Sequence, residues 1–165
     1  MQTSDKNRIL VAYFSHSGNT RVIANQIHDN VGDDIFEIVA VNQYPSDYNQ
    51  CVEQAKKELG EQYRPKLKTK VENMQSYSII FVGYPNWWGT IPMPIATFFS
   101  EYDFKEKTIA PFCTNEGSRL GRSVVDIKKL CPKSTVTNGL AVRGGSVKNA
   151  QNDVSRWLRE LGMEK

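Results

Sequence analysis

The chain has 165 residues, 39% of them apolar, and a formal net charge of +3. That is the length of one domain, with apolar content high enough to exclude intrinsic disorder and to build a core without disulfides or metal. No apolar run approaches the roughly 20 residues of a bilayer span, and a basic excess confined to residues 115–165 (ten basic against five acidic side chains) is too small for a nucleic-acid footprint.

The N-terminal MQTSDKNR is polar and lacks an apolar signal segment, so a cytoplasmic protein with no membrane association is expected. Arg8–Phe14 (RILVAYF) is a continuous apolar run, the mark of a strand buried on both faces. Asn19–Asn30 follows as a helix, with Val22, Ile23, Ile27 and the adjoining Val31 at helical spacing. Asp34–Val41 (DIFEIVAV) predicts a second strand, and Ser46 opens a helix to about Leu59. Arg64–Lys70 is basic and contains proline, so it predicts an exposed connection.

Ser78–Gly83 is the third strand. Pro92 and Pro94 suit the first turn of a helix that runs to about Ser100. Lys107–Cys113 predicts the fourth strand, Ser123–Leu130 a helix and Val136–Val142 the fifth strand. Val147–Leu161 closes the chain as a helix whose apolar stripe includes Val154, Trp157 and Leu158. Cys51, Cys113 and Cys131 are odd in number and widely spaced, which predicts reduced, buried thiols; His16 and His28 are too few for a metal site.

Five strands alternating with helices imply crossover connections: an α/β fold with a five-stranded parallel sheet covered on both faces, as a single domain over 1–165 with its core at about 8–161. In such sheets ligands sit beyond the carboxyl ends of the strands, where strand order reverses. Three loops lie there: Ser15–Thr20, Tyr84–Thr90 and Thr114–Gly121.

SHSGNT (Ser15, His16, Ser17, Gly18, Asn19, Thr20) joins a strand to a helix N-terminus. Free amides, hydroxyls and the positive helix end favour an anion there, although a plain N-cap would use the same residues. It has no lysine, so it is not a nucleotide-triphosphate loop, and one glycine does not make GxGxxG. A loop of hydroxyls and amides without a cation suits one terminal phosphate. YPNWWGT places two tryptophans at the ligand edge, which suits a planar ligand. In the third loop Gly117 and Gly121 permit close approach, and Arg119 and Arg122 stand ready for an anion or for solvent. A phosphorylated receiver domain of the same topology would need acids at the ends of strands one and three; Phe14-Ser15 and Gly83-Tyr84 supply none.

A phosphate cradle, an aromatic clamp and a glycine loop on one edge resemble the flavodoxin family. SHSGNT matches that family's [ST]-x-[ST]-G-x-T phosphate loop, and the resemblance runs from Arg8 to about Leu161. It implies a three-layer, doubly wound sheet in the order 2-1-3-4-5 and non-covalent FMN as cofactor. By position, Ser15, Ser17, Gly18, Asn19 and Thr20 would bind the phosphate, with His16 adding its backbone. Pro85, Asn86, Trp87, Trp88 and Gly89 would flank the isoalloxazine. Thr114, Asn115, Glu116, Gly117 and Gly121 would line its other edge or the ribityl chain. The implied function is electron transfer with a redox partner protein. Two departures leave room for an alternative, an NAD(P)H-dependent reductase of quinones, flavins or similar small acceptors. The chain is net positive, and no aromatic occurs between Thr114 and Trp157 to stack on the flavin's outer face. Arg119, Arg122 and Arg143 would then meet the anionic dinucleotide or acceptor.

Overall fold

The computed structural model describes residues 8–163; the polar N-terminal stretch before Arg8 lies outside the described residues. β1 (Arg8–Tyr13) forms from the first apolar run and pairs in parallel with β2 (Asp34–Glu37) and β3 (Tyr77–Pro85). β3 pairs with β4 (Thr108–Asn115), which carries β5 (Thr135–Val136) and β6 (Leu140–Arg143), all parallel. The order is β2-β1-β3-β4-β5, with β6 also on β4, so the expected 2-1-3-4-5 sheet is present.

Alternate residues of the central strands enter two separate cores, which is why the runs read as continuously apolar. Val11, Phe81, Ala110 and Phe112 face α1 (Asn19–Val31) and α5 (Gln151–Leu161), meeting Ile23, Ile27, Val154 and Trp157. Leu10, Ile80, Val82 and Ile109 face the opposite layer, meeting Ile95 and Phe98 of α3 (Met93–Glu101) and Ile127 of α4 (Ser123–Leu130). α2 (Tyr48–Glu61) lies on that side too, with Leu59 packed against the same core.

Besides one- and two-residue shifts at other element ends, four differences from the sequence expectation have a visible cause. β2 ends at Glu37 and not at Val41, because the chain leaves the sheet edge and pairs with 66–68: Val41 donates to the Lys66 carbonyl at 2.8 Å and Lys68 to that of Val39 at 2.7 Å. The basic connection is therefore not wholly exposed, since Pro65 and Leu67 are buried beneath it. α2 starts at Tyr48 because Asp47, not Ser46, is the cap, its carboxylate accepting from the Gln50 amide at 3.0 Å. The last α-helix begins at Gln151, after a 3₁₀ segment over Gly144–Asn149.

The fourth difference is the fifth strand, which is broken into β5 and β6. Ile109 pairs with Val136 and Phe112 with Leu140, so two residues of β4 face three residues, 137–139. One of those two is Pro111, which has no N–H to donate, and the ladder lapses there as a bulge.

Candidate functional site

β1 delivers the first loop to the start of α1 at the carboxyl edge of the sheet. Gly18 holds the turn with φ of 100°, a conformation open to glycine, and its carbonyl accepts from Val22 at 3.2 Å. The Ser15 hydroxyl accepts from the Gly18 amide at 3.1 Å and from the Arg21 amide at 3.4 Å. Thr20 is turned inward, its hydroxyl 2.8 Å from that of Thr114. His16 is exposed and donates from Nε2 to the Pro45 carbonyl at 2.9 Å.

The second loop is a tight reversal. Trp87 and Thr90 exchange backbone bonds at 3.1 and 3.2 Å, and Trp88 and Gly89 between them have φ of 56° and 80°. That is the geometry of a two-residue type I′ turn. The two tryptophans have different fates. Trp87 is caged edge-on by Phe14, His16 and Tyr44, with ring centroids 5.5, 5.9 and 5.0 Å away. Trp88 is 45% exposed and lies on α2, its Nε1 donating to the Val52 carbonyl at 2.9 Å with Lys56 over its ring.

Asn86 joins the second loop to the third. Its amide donates to the Thr114 carbonyl at 2.8 Å, and its Nδ2 to the Arg119 carbonyl at 2.6 Å. These bonds fix the carboxamide, and its Oδ1 is buried without a hydrogen-bond partner. Asn115 is buried and closes its own turn by accepting from Gly117 at 2.8 Å.

The three loops border a cleft of about 1090 Å³. Ser15, His16, Ser17 and Asn19 line one part of it; Pro85, Asn86, Trp87 and Trp88 a second; Thr114, Asn115 and Glu116 a third. Gly18, Thr20, Gly89, Gly117 and Gly121 do not line the cleft. Thr20 is an internal tie to the third loop. Gly89 and Gly121 face each other: the Gly89 carbonyl accepts from Arg122 at 2.6 Å, and a Cβ on Gly121 would come within 2.3 Å of that oxygen.

The remaining wall was not among the expected site residues. It comes from the segment after β2 and from α2, including Ile38, Ala40, Tyr44, Cys51, Val52 and Ala55. Tyr44 is held there by a hydrogen bond to the buried carboxylate of Glu58, which also accepts from Gln54 at 3.2 Å. Burial, reinforced by that carboxylate, pushes the Tyr44 hydroxyl far above its ordinary range, so it stays a donor. Burial likewise raises the Cys51 thiol. The one sequence signal for this wall is position: Tyr44 follows a strand at the ligand edge, as the three chosen loops do.

A family model described as flavodoxin matches residues 8–161. The chain belongs to the flavodoxin family. Among solved structures, this chain is similar to a candidate flavoprotein from Bacteroides eggerthii, at 32% identity over 95% of this chain and 99% of that one, with a TM-score of 0.84. A second candidate flavoprotein, from Bacteroides uniformis, is 27% identical over 93% of this chain and 98% of its own, with a TM-score of 0.83. A flavoprotein in complex with FMN, from Lactobacillus acidophilus, shares the fold at 22% identity, a TM-score of 0.70 and coverage of 88% and 99%. No curated protein matches the chain. Among the described residues, no helix is long and apolar enough to cross a membrane.

Proposed function

We propose that this chain binds FMN non-covalently in the cleft and passes electrons through it to a redox partner protein. The observation that carries this reading is the Asn86 Oδ1. A fixed, buried acceptor without a donor costs about 1–3 kcal/mol, a cost that a ligand N–H would remove. A flavin ring presents such an N–H on its polar edge. The cleft lining also has neutral donors suited to a terminal phosphate: the Ser15 and Ser17 hydroxyls, beside the N-terminus of α1. Trp87, held by three rings, offers a rigid aromatic wall in the same cleft. The residues present therefore fit FMN, and the FMN complex of the Lactobacillus acidophilus neighbour supports the same reading.

FMN, when bound, supplies a ring that takes up one or two electrons; the protein supplies placement and surroundings. Asn86 would orient the ring by accepting its N–H. Ser15 and Ser17 would hold the phosphate. Trp87, Tyr44 and Val52 would exclude water from one side. The Gly89 carbonyl, engaged by Arg122, stays with the protein.

A second reading keeps the same site but makes the chain an NAD(P)H-dependent reductase of quinones, flavins or similar small acceptors. It draws on Arg119 and Arg143, both exposed at the third-loop side, where no aromatic side chain closes the cleft. Anaerobic reduction of the FMN-loaded protein, followed by visible absorption, separates the two. Two resolved one-electron steps with no NADPH consumption fit the carrier. NADPH oxidation that slows when Arg119 and Arg143 are replaced by Ala fits the reductase. Failure to bind added FMN overturns both.

A further inference from the structure

By resemblance Glu116 belongs at the ring edge or along the ribityl chain; the structure puts its carboxylate beside the phosphate loop. A Cβ built on Gly144 would lie 2.5 Å from the Glu116 Oε2 and 2.6 Å from the Asn19 Nδ2. Both side-chain ends thus rest on one glycine, the carboxylate next to the first residue of α1. Glu116, Ser15, Ser17 and Asn19 all line the cleft. Among the described residues no ion pair forms on the Glu116 carboxylate. Arg143 donates to the Glu116 main-chain carbonyl at 3.5 Å, and Arg21 is taken up by Glu37 at 2.6 Å and by the Tyr13 hydroxyl at 3.4 Å. The loop that would receive a phosphate has only neutral donors and a helix end, and an acidic side chain stands beside them.

We propose that Glu116 opposes the ligand's phosphate and so limits how strongly the chain prefers FMN over riboflavin, its unphosphorylated parent. The inference rests on the FMN reading above. A carboxylate and a phosphate held in the same part of a cleft would repel even through water, and the partial charge of one helix N-terminus would offset only part of that. The repulsion acts on the phosphate and not on the ring, so it separates two ligands that share the ring.

Fluorescence titration of the full chain with FMN and with riboflavin tests this. Glu116→Gln, which keeps the shape and removes the charge, should tighten FMN about threefold to tenfold and leave riboflavin unchanged within about twofold. Glu116→Ala should do the same, and 1 M salt should shrink the gain. If FMN affinity is unchanged or weaker in both variants, or riboflavin gains as much as FMN, the proposal is overturned while the FMN site stands. If wild type binds neither flavin, the functional reading fails together with it.

Discussion

The hydroxyls of Thr20 and Thr114 lie 2.8 Å apart and are 94 residues apart in sequence. Thr20 is 1% exposed and Thr114 is 4% exposed, so each is the other's replacement for water. This pair fastens the first turn of α1 to the end of β4 and sets the spacing of the first and third loops. Thr20→Val should cost about 1–3 kcal/mol by leaving the Thr114 hydroxyl unpaired. The Thr20→Val/Thr114→Val double variant should recover part of that loss. Urea denaturation of Thr20→Val, Thr114→Val and the double variant checks the cycle; a double variant as costly as the two singles summed would count against the pairing.

Gly121 has φ of 53° and no room for a side chain, since the atom in the way is the Gly89 carbonyl oxygen and part of a backbone bond to Arg122. Backbone cannot swing aside as a side chain can. Gly121→Ala should push the 88–89 turn away from the third loop, lower stability by about 1–3 kcal/mol and loosen the cleft. Thermal melting and FMN titration on one preparation would show both losses. An unchanged melting temperature would mean that the two loops are not locked at this point.

Asn86 separates binding from folding. Asn86→Ala removes the unpaired acceptor together with the bond to the Arg119 carbonyl, so its effect on stability should be small, within about 1 kcal/mol. Its effect on FMN should be large, about tenfold in affinity, because the ligand loses its acceptor. Comparing denaturation midpoint with FMN titration reads the two together. A large stability loss with unchanged FMN affinity would make Asn86 a loop tie only.

The thiols give the pH dependence a sign. Burial pushes Cys131 up to about 11 and Cys113 up to about 12, against an ordinary 9.0. The folded chain holds these protons more tightly than the unfolded chain, so the stability they contribute is complete below about pH 9 and is lost as pH rises toward 12. Denaturation midpoints should fall across that window. At pH 8 a thiol reagent should leave both cysteines unmodified in the folded protein and label them in urea. Rapid labelling without urea would contradict their burial.

How much of this was legible beforehand follows from where each signal sits. The alternation of strands and helices and the glycine turn at the head of α1 were readable because their signals are contiguous, an apolar run, a glycine that must turn and hydroxyls at a helix start, whereas the order 2-1-3-4-5 came only with the family resemblance. The broken fifth strand was legible only in part: Asn138 and Gly139, weak strand formers, stand in the gap, but that the gap falls opposite Pro111 is decided by pairing with the neighbouring strand. Of the two tryptophans, which would be caged and which exposed was not decided by WW itself; Tyr44 and Val52, from elements earlier in the chain, decide it.

The amino-acid sequence by itself thus determined the alternation of strands and helices and pointed to the sheet edge that carries the cleft, since both rest on local periodicity and turn chemistry. Only the tertiary structure decided the second wall of the cleft, the orphan acceptor on Asn86 and the Glu116 carboxylate beside Asn19 of the first loop. Each of these is a relation between residues on different loops, and such a relation has no energy until the backbone brings them within a few ångströms.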